Sequence, residues 1–306
     1  MTSLSSPSMP LITLQNGEHR VAIFDPRADP RTLGARYVHG GYIAAWHVGE
    51  RCLTAGPTRA WMPFGGLGLP ETFELPLAWA VAEEGDYFMR IGAGQLRKRG
   101  LNVGEEWTKA PLTSVLNWTV TEQSAEHITM TSGDSAECAQ WVISYTIERT
   151  VRVLPDGVES RTTLQLSCPR FMHHPISWFA HPFFVQSAIG ATSLTAPGAE
   201  LVDNTRHGFG FGSSRTTLAR EDHGQWRFTA GNSRATLGGL WGASPELITH
   251  LDPTLGGGQV SIQVDRPLDH LVVWANDLVF SPEPKLCRLW LDGERAAWTI
   301  RYRFQP

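Results

Sequence analysis

The stretch Tyr145–Val153, YTIERTVRV, leads through Leu154 and Pro155-Asp156-Gly157 into Val158–Cys168, VESRTTLQLSC, and decides the fold class. Tyr145, Ile147, Arg149, Val151 and Val153 alternate with Thr146, Glu148, Thr150 and Arg152. That is the period of a strand, whose successive side chains leave on opposite faces. Pro155 presets a negative φ and Gly157 is expected to accept a positive one, so the two runs fold back as a β-hairpin. Shorter runs of the same kind recur at His19–Phe24, Tyr42–His47, His127–Thr131, Gln259–Val264, His270–Trp274 and Ala296–Phe304, separated by clusters of Gly, Pro, Asn and Asp. Many short strands with turn signals between them indicate an all-β sandwich or barrel of antiparallel strands. The best helical window, Thr72–Glu84, contains Pro76 and reads as a short helix or an irregular loop.

Composition sets the outer limits. In 306 residues, 42% are hydrophobic and only 18% charged, which supplies a core and excludes a chain that is disordered throughout. Gly256-Gly257-Gly258 reads as a loop tip between strands. With no repeat and no Gly/Ser/Pro linker, the expectation is one domain over 11–306 behind a flexible tail, 1–10. Net charge is −4 and the densest basic cluster is Arg97-Lys98-Arg99, so no nucleic-acid partner is expected. No apolar run is long enough to span a bilayer, and Met1–Pro10 lacks the basic and apolar regions of a secretory signal. Cys52, Cys138, Cys168 and Cys287 are scattered and form no C-x-x-C pair, which reads as reduced, mostly buried thiols in a cytoplasmic protein. The 12 tryptophans are read mainly as core.

Three segments place ionisable groups among aromatics. In Phe171–Phe184, His181 precedes Pro182 and is held extended, where its ring can exchange a proton near neutral pH. In Ser281-Pro282-Glu283-Pro284 the two prolines restrict the backbone around Glu283 and aim its carboxylate from what reads as a rigid loop. In Phe88–Leu96 glycines alternate, but no helix follows, so a bulged strand is expected rather than a phosphate loop.

Taken in order, these pieces resemble the aldose 1-epimerase (galactose mutarotase-like) superfamily. The resemblance rests on Gly34-Ala35-Arg36-Tyr37 with Gly41-Tyr42-Ile43, Gly66-Leu67-Gly68, Phe73, Ile91–Leu96, His181-Pro182-Phe183-Phe184, Glu283-Pro284 and Leu291-Asp292-Gly293-Glu294. It implies a large antiparallel β-supersandwich and the interconversion of sugar anomers, with no metal or organic cofactor. It also implies Glu283 as general base on the anomeric hydroxyl and His181 as general acid on the ring oxygen. Reference pKa values then leave a window between about 4.3 and about 6.5 for an ionised Glu283 beside a protonated His181. The two side chains are expected to face each other across a gap that admits a pyranose.

Arg90, Asp203, Trp178, Phe183 and Trp274 are the candidate contacts to the sugar or sugar phosphate. Val38-His39-Gly40-Gly41 imitates by letters the family's second histidine segment but stands too early in the chain. The competing reading is a carbohydrate-binding supersandwich without turnover, with Trp178, Phe183, Phe184 and Trp274 as stacking platforms. A metal site at His173, His174 and His181 is disfavoured, because adjacent strand residues point to opposite faces.

Overall fold

The computed structural model describes residues 9–58, 65–99, 111–138, 141–169, 174–201, 218–221, 225–228 and 235–306. Antiparallel strands dominate them, with short 3-10 turns at Pro30–Leu33 and Pro253–Leu255. The quoted hairpin is the backbone of the largest sheet. Trp141–Leu154 pairs with Gly157–Ser167 in continuous register from Ser144↔Ser167 to Leu154↔Gly157. Its two-residue connection, Pro155-Asp156, agrees with the sequence expectation, but the reason for Gly157 differs. Gly157 is absent from the positive-φ glycines; instead a Cβ there would lie 1.8 Å from the carbonyl oxygen of Tyr302 on the next strand. Close approach of a neighbouring backbone, not turn conformation, requires the glycine.

Ten strands make this sheet, in the order Leu218–Arg220, Gln225–Phe228, Ser193–Thr195, Glu246–His250, Gln259–Val264, Arg295–Gln305, Gly157–Ser167, Trp141–Leu154, His127–Cys138 and Thr119–Gln123. A second sheet, of seven strands, runs Glu200–Leu201, Ala235–Trp241, His270–Asn276, Val279–Trp290, His174–Ala180 and Glu71–Phe73, with Phe184–Val185 also paired to Val279–Trp290. Smaller sheets of four strands (between Leu11 and Cys52) and three strands (between Tyr87 and Val115) flank them. Thr72–Glu84 carries no helix: it begins in the Glu71–Phe73 strand and continues through turns. Phe88–Leu96 is not a bulged strand but a tight hairpin, in which Tyr87–Arg90 pairs with Gly94–Arg97.

The two large sheets meet through aromatic rings. Trp298 of the ten-stranded sheet lies edge-on to Trp178 at 5.5 Å and to Phe73 at 6.1 Å, both from the seven-stranded sheet. Phe184 packs edge-on to Tyr302 in the same layer. Trp46, Trp118, Trp178, Trp226, Trp290 and Trp298 are all buried, as a core role demands. Of the three cysteines whose side chains are described, Cys168 is buried, Cys52 half-buried and Cys287 exposed, short of the mostly buried set expected, and the Cys138 side chain lies outside the described ones.

Arg149 breaks the apolar character of its own strand face. It is buried between the sheets, where Nη1 and Nη2 donate to Glu71 Oε2 and Oε1 at 2.8 and 2.7 Å, and Nη2 also donates to Ser160 Oγ at 2.8 Å. Glu71 further accepts from Trp178 Nε1 at 2.9 Å and from Thr162 Oγ1 at 3.4 Å. Removing one partner strands the other charge in the interior. Arg149→Met is therefore expected to lower the unfolding free energy by about 3–5 kcal/mol, read from urea denaturation; a loss below about 1 kcal/mol would show that the bridge holds nothing together.

Candidate functional site

The site arises where the ladder of the seven-stranded sheet opens. His174–Ala180 pairs with Val279–Trp290 as far as Phe179↔Lys285, and pairing resumes only at Phe184↔Phe280. Between these points Ala180–Phe183 turns to a different partner: His181 N donates to Pro70 O and Phe183 N to Gly68 O, each at 2.8 Å. Ser281–Pro284 is thus left with a strand on one side only, that of His270–Asn276. Prolines, which lack an N–H, are tolerated in strands where a partner is missing, and Pro282 and Pro284 occupy this local edge. Glu283 is consequently not on a rigid loop, as the sequence suggested, but inside the strand Val279–Trp290. The period of two sends Ser281, Glu283 and Lys285 to one face.

His181 reaches into this opening. Its Nδ1 lies 2.8 Å from Ser281 Oγ, and its Nε2 lies 3.3 Å from both Glu283 Oε1 and Arg36 Nη2. A guanidinium can only donate, so Nε2 accepts from Arg36 and the ring proton sits on Nδ1, donated to Ser281. The ring stacks on Phe183 at 4.4 Å and 25°, and meets Trp274 and Tyr37 edge-on at 6.2 and 6.1 Å. His181 and Glu283 are both buried. The expected gap between them is absent; they are in direct contact. A hemiacetal needs none, because its anomeric hydroxyl and ring oxygen sit on one carbon and can be reached from one edge of the sugar.

Burial decides the proton affinities. It pushes Glu283 up to about 7, against the opposing pull of Lys285 and Arg36. Burial, then the cationic Arg36 and Lys285, hold His181 well below its ordinary value. The order of the two groups is reversed relative to their reference values, so the pair at mildly acidic pH carries its single proton on Glu283, not on His181.

Arg36 is the site residue that the sequence did not single out for chemistry. It lay within the quoted glycine-rich match, yet nothing in its letters tells it from a surface arginine. Its loop is held from behind by Arg90, whose Nε and Nη2 donate to the carbonyls of Ala35 and Arg36 at 3.0 and 3.3 Å and whose Nη1 donates to Glu74 O at 2.8 Å. Thr72 Oγ1 also donates to Arg36 O. Arg90, a candidate sugar contact, is thus buried with its guanidinium engaged by backbone. Trp178 likewise belongs to the core, its indole on Glu71, and cannot serve as a stacking platform. Phe183 is a buried support for the His181 ring, and Phe184 pairs with Phe280 inside the fold. Trp274, half-buried, is beside the pair. Asp203 and His173 lie outside the described residues. His39 is buried with Nε2 on Gly34 O at 2.7 Å, and burial depresses it to about 4, which suits a loop brace.

Solved structures with the same architecture are known. The chain superposes on a galactose mutarotase-like protein from Lactobacillus casei ATCC 334 with a TM-score of 0.56 at 12% identity, covering 97% of this chain and 100% of that one. A galactose mutarotase related enzyme from Lactobacillus acidophilus gives 0.55 at 12%, covering 97% and 98%. The Slr1438 protein of Synechocystis sp. PCC 6803 gives 0.59 at 13%, covering 100% and 99%. No protein-family model and no curated protein matches the sequence. The chain therefore has the galactose mutarotase-like β-supersandwich fold over nearly its whole length.

A raised carboxyl has a thermodynamic signature. Glu283 titrates near 4.5 when unfolded and at about 7 when folded, so its contribution favours the folded state below the lower value and is lost as pH rises to the upper one. Glu283→Gln is expected to be more stable than the parent at pH 8, with the advantage shrinking as pH falls toward 4.5, measured by urea denaturation. An advantage that grew on acidification would contradict the assigned environment.

Proposed function

We infer that the protein interconverts the anomers of an aldose by general acid/base ring opening and closure, with Glu283 and His181 as the proton-exchanging pair. The observation that carries this reading is the 3.3 Å contact between a buried carboxyl raised to about 7 and a buried imidazole nitrogen. Such a pair, tuned close to the operating pH, is what anomer exchange requires. The fold shared with galactose mutarotase-like proteins supports the same class of substrate.

A proton passes from the Glu283 carboxyl to His181 Nε2, leaving a carboxylate and an imidazolium of the same total charge. The carboxylate takes the anomeric hydroxyl proton; the C1–O1 bond becomes a carbonyl as the C1–O5 bond breaks, and the imidazolium delivers its proton to O5. Glu283 is then protonated and His181 neutral, the form favoured by burial. Rotation about C1–C2 and reversal of each transfer closes the other anomer. Ser281, on Nδ1, keeps the ring oriented in both protonation states, and Arg36 supplies positive charge where oxygen charge develops.

Activity on this account needs one proton in the pair. A bell-shaped rate profile is expected, with the alkaline limb near 7 set by Glu283 and the acid limb below 6.5 set by His181, the reverse of the ownership that reference values imply. Glu283→Gln keeps shape and hydrogen bonding but removes the proton carrier, and should lower the exchange rate by roughly 10² to 10⁴ while sugar binding survives. Polarimetry or NMR exchange across a panel of aldoses and their phosphates reads both. Undiminished exchange in the variant would remove Glu283 from the mechanism; binding of sugars without exchange by the parent would favour a carbohydrate-binding module.

A further inference from the structure

The strand that carries Glu283 presents a second charge on the same face. Ser281, Glu283 and Lys285 alternate along Val279–Trp290, so Lys285 stands about 7 Å from Glu283, on the side away from Ser281. Its side chain is 5% exposed, and lysine is buried to that degree only when it is paired. The pairing is uneven. Nζ donates to Glu74 Oε1 and Oε2 at 3.1 and 3.2 Å and sits 4.4 Å over the Phe179 ring, but the Glu74 side chain is 45% exposed. Ser177 Oγ donates to Glu74 Oε2 at 3.0 Å and holds it in place. Among the described residues Glu74 is the only carboxylate in contact with the ammonium. Water screens its negative charge while the positive one is enclosed, so on the inner side, where Glu283 stands, the ion pair acts as a cation.

Two cations thus bracket the proton-exchanging pair from different ends. Arg36 Nη2 touches His181 Nε2, whereas Lys285 lies along the strand from Glu283 and reaches His181 only across Phe179, whose ring is 5.9 Å from the imidazole. The proton affinities divide in the same way. After burial, Lys285 pulls Glu283 down more than Arg36 does, with Glu74 opposing, while Arg36 is the stronger of the two cations on His181. The other groups that face Lys285 and Glu283 keep their charge states near pH 7. Burial pushes Tyr37 up to about 12, raises the Cys287 thiol and depresses His270. Against burial, Lys285 and Ser177 hold Glu74 below its ordinary carboxylate value. The Asp269 carboxylate is taken by the backbone N–H of Cys287.

We propose that Lys285 is a positioning residue for the reaction: held between Glu74 and Phe179, its ammonium stabilises the Glu283 carboxylate that takes the anomeric proton. This rests on the reading of His181 and Glu283 as the proton-exchanging pair, and the test separates the two. The ionisation of Glu283 is followed directly, by NMR of isotope-labelled glutamate carboxyls assigned against Glu283→Gln. The full chain is compared with Lys285→Met, Lys285→Arg and Glu74→Gln, beside the pH profile of anomer exchange. Loss of the cation in Lys285→Met should raise the Glu283 midpoint by about one pH unit, while Lys285→Arg, which keeps the charge, should stay within about 0.3 of the parent. Glu74→Gln, which removes the opposing anion, should move the midpoint down. The alkaline limb of exchange is expected to move with it. A lysine that only filled space would give no such opposed shifts. An unmoved midpoint in Lys285→Met, an equal rise in Lys285→Arg, or a rise in Glu74→Gln overturns the proposal; if Lys285→Met does not fold, Lys285→Arg and Glu74→Gln decide it. Midpoints that move as stated in a chain that exchanges no anomers would remove the proposed activity and leave the action of Lys285 on Glu283 standing.

Discussion

The buried bridge between Arg149 and Glu71 joins the two large sheets, and the site hangs from it. The Glu71 carboxylate gathers Arg149, Thr162 and the Trp178 indole, so one side chain ties the ten-stranded sheet to the seven-stranded one. The backbone of Glu71 pairs with Ala180 and its carbonyl accepts from Val38 N at 2.9 Å. His181 follows Ala180 directly, and Arg36 stands two residues before Val38. An interior carboxylate thus fixes the approach of both groups that meet at Nε2 of His181. A buried ion pair is weak evidence for net stability, yet its geometry admits few alternatives, and a site that depends on contacts of 3.3 Å needs that exclusivity.

A second constraint is the opening in the ladder. Backbone groups must be paired when buried, and the chain meets this at Ala180–Phe183 by exchanging the strand Val279–Trp290 for the carbonyls of Pro70 and Gly68. The exchange frees a short length of strand, and prolines fit there because no donor is needed from them on the open side. Side chains then occupy the opening. Ser281 and Glu283 take the two nitrogens of one imidazole, and Phe183 closes its flat face. The reversed proton affinities follow from the same enclosure: water is excluded from a carboxyl and an imidazole together, so both charged forms are disfavoured and the proton rests where neither group is charged.

Sequence reading singled out His181 and Glu283 but named neither the strand Val279–Trp290, where it expected a rigid loop, nor the strand His174–Ala180 that leads to His181. The runs at His19–Phe24 and Gln259–Val264 coincide with observed strands because strict alternation across a half-buried sheet leaves a local signature. It misassigned residues whose roles depend on distant partners. Arg90 and Trp178 have the composition of ligand contacts, but the carbonyls of Ala35, Arg36 and Glu74 and the carboxylate of Glu71 claim them. Gly157 was correct as a glycine and wrong as to cause, since the carbonyl it must admit belongs to Tyr302 on another strand.

What the sequence by itself determined was periodicity, and hence strands, and the presence of a histidine and a glutamate each restrained by proline. Arg149, a charge in the inward-facing set of an otherwise apolar run, was the one local sign that something buried waited to pair with it. Only the tertiary structure decided that Glu71 was that partner, that Arg36 and Ser281 complete the His181 environment, and that the pair touches instead of facing across a gap. The physical reason is that desolvation and hydrogen-bond geometry are properties of surroundings assembled from residues far apart in the chain; Glu283 stands next to His181 because His174–Ala180 pairs with Val279–Trp290 in one sheet, which the Glu71 carboxylate, 110 positions before His181, ties to the other.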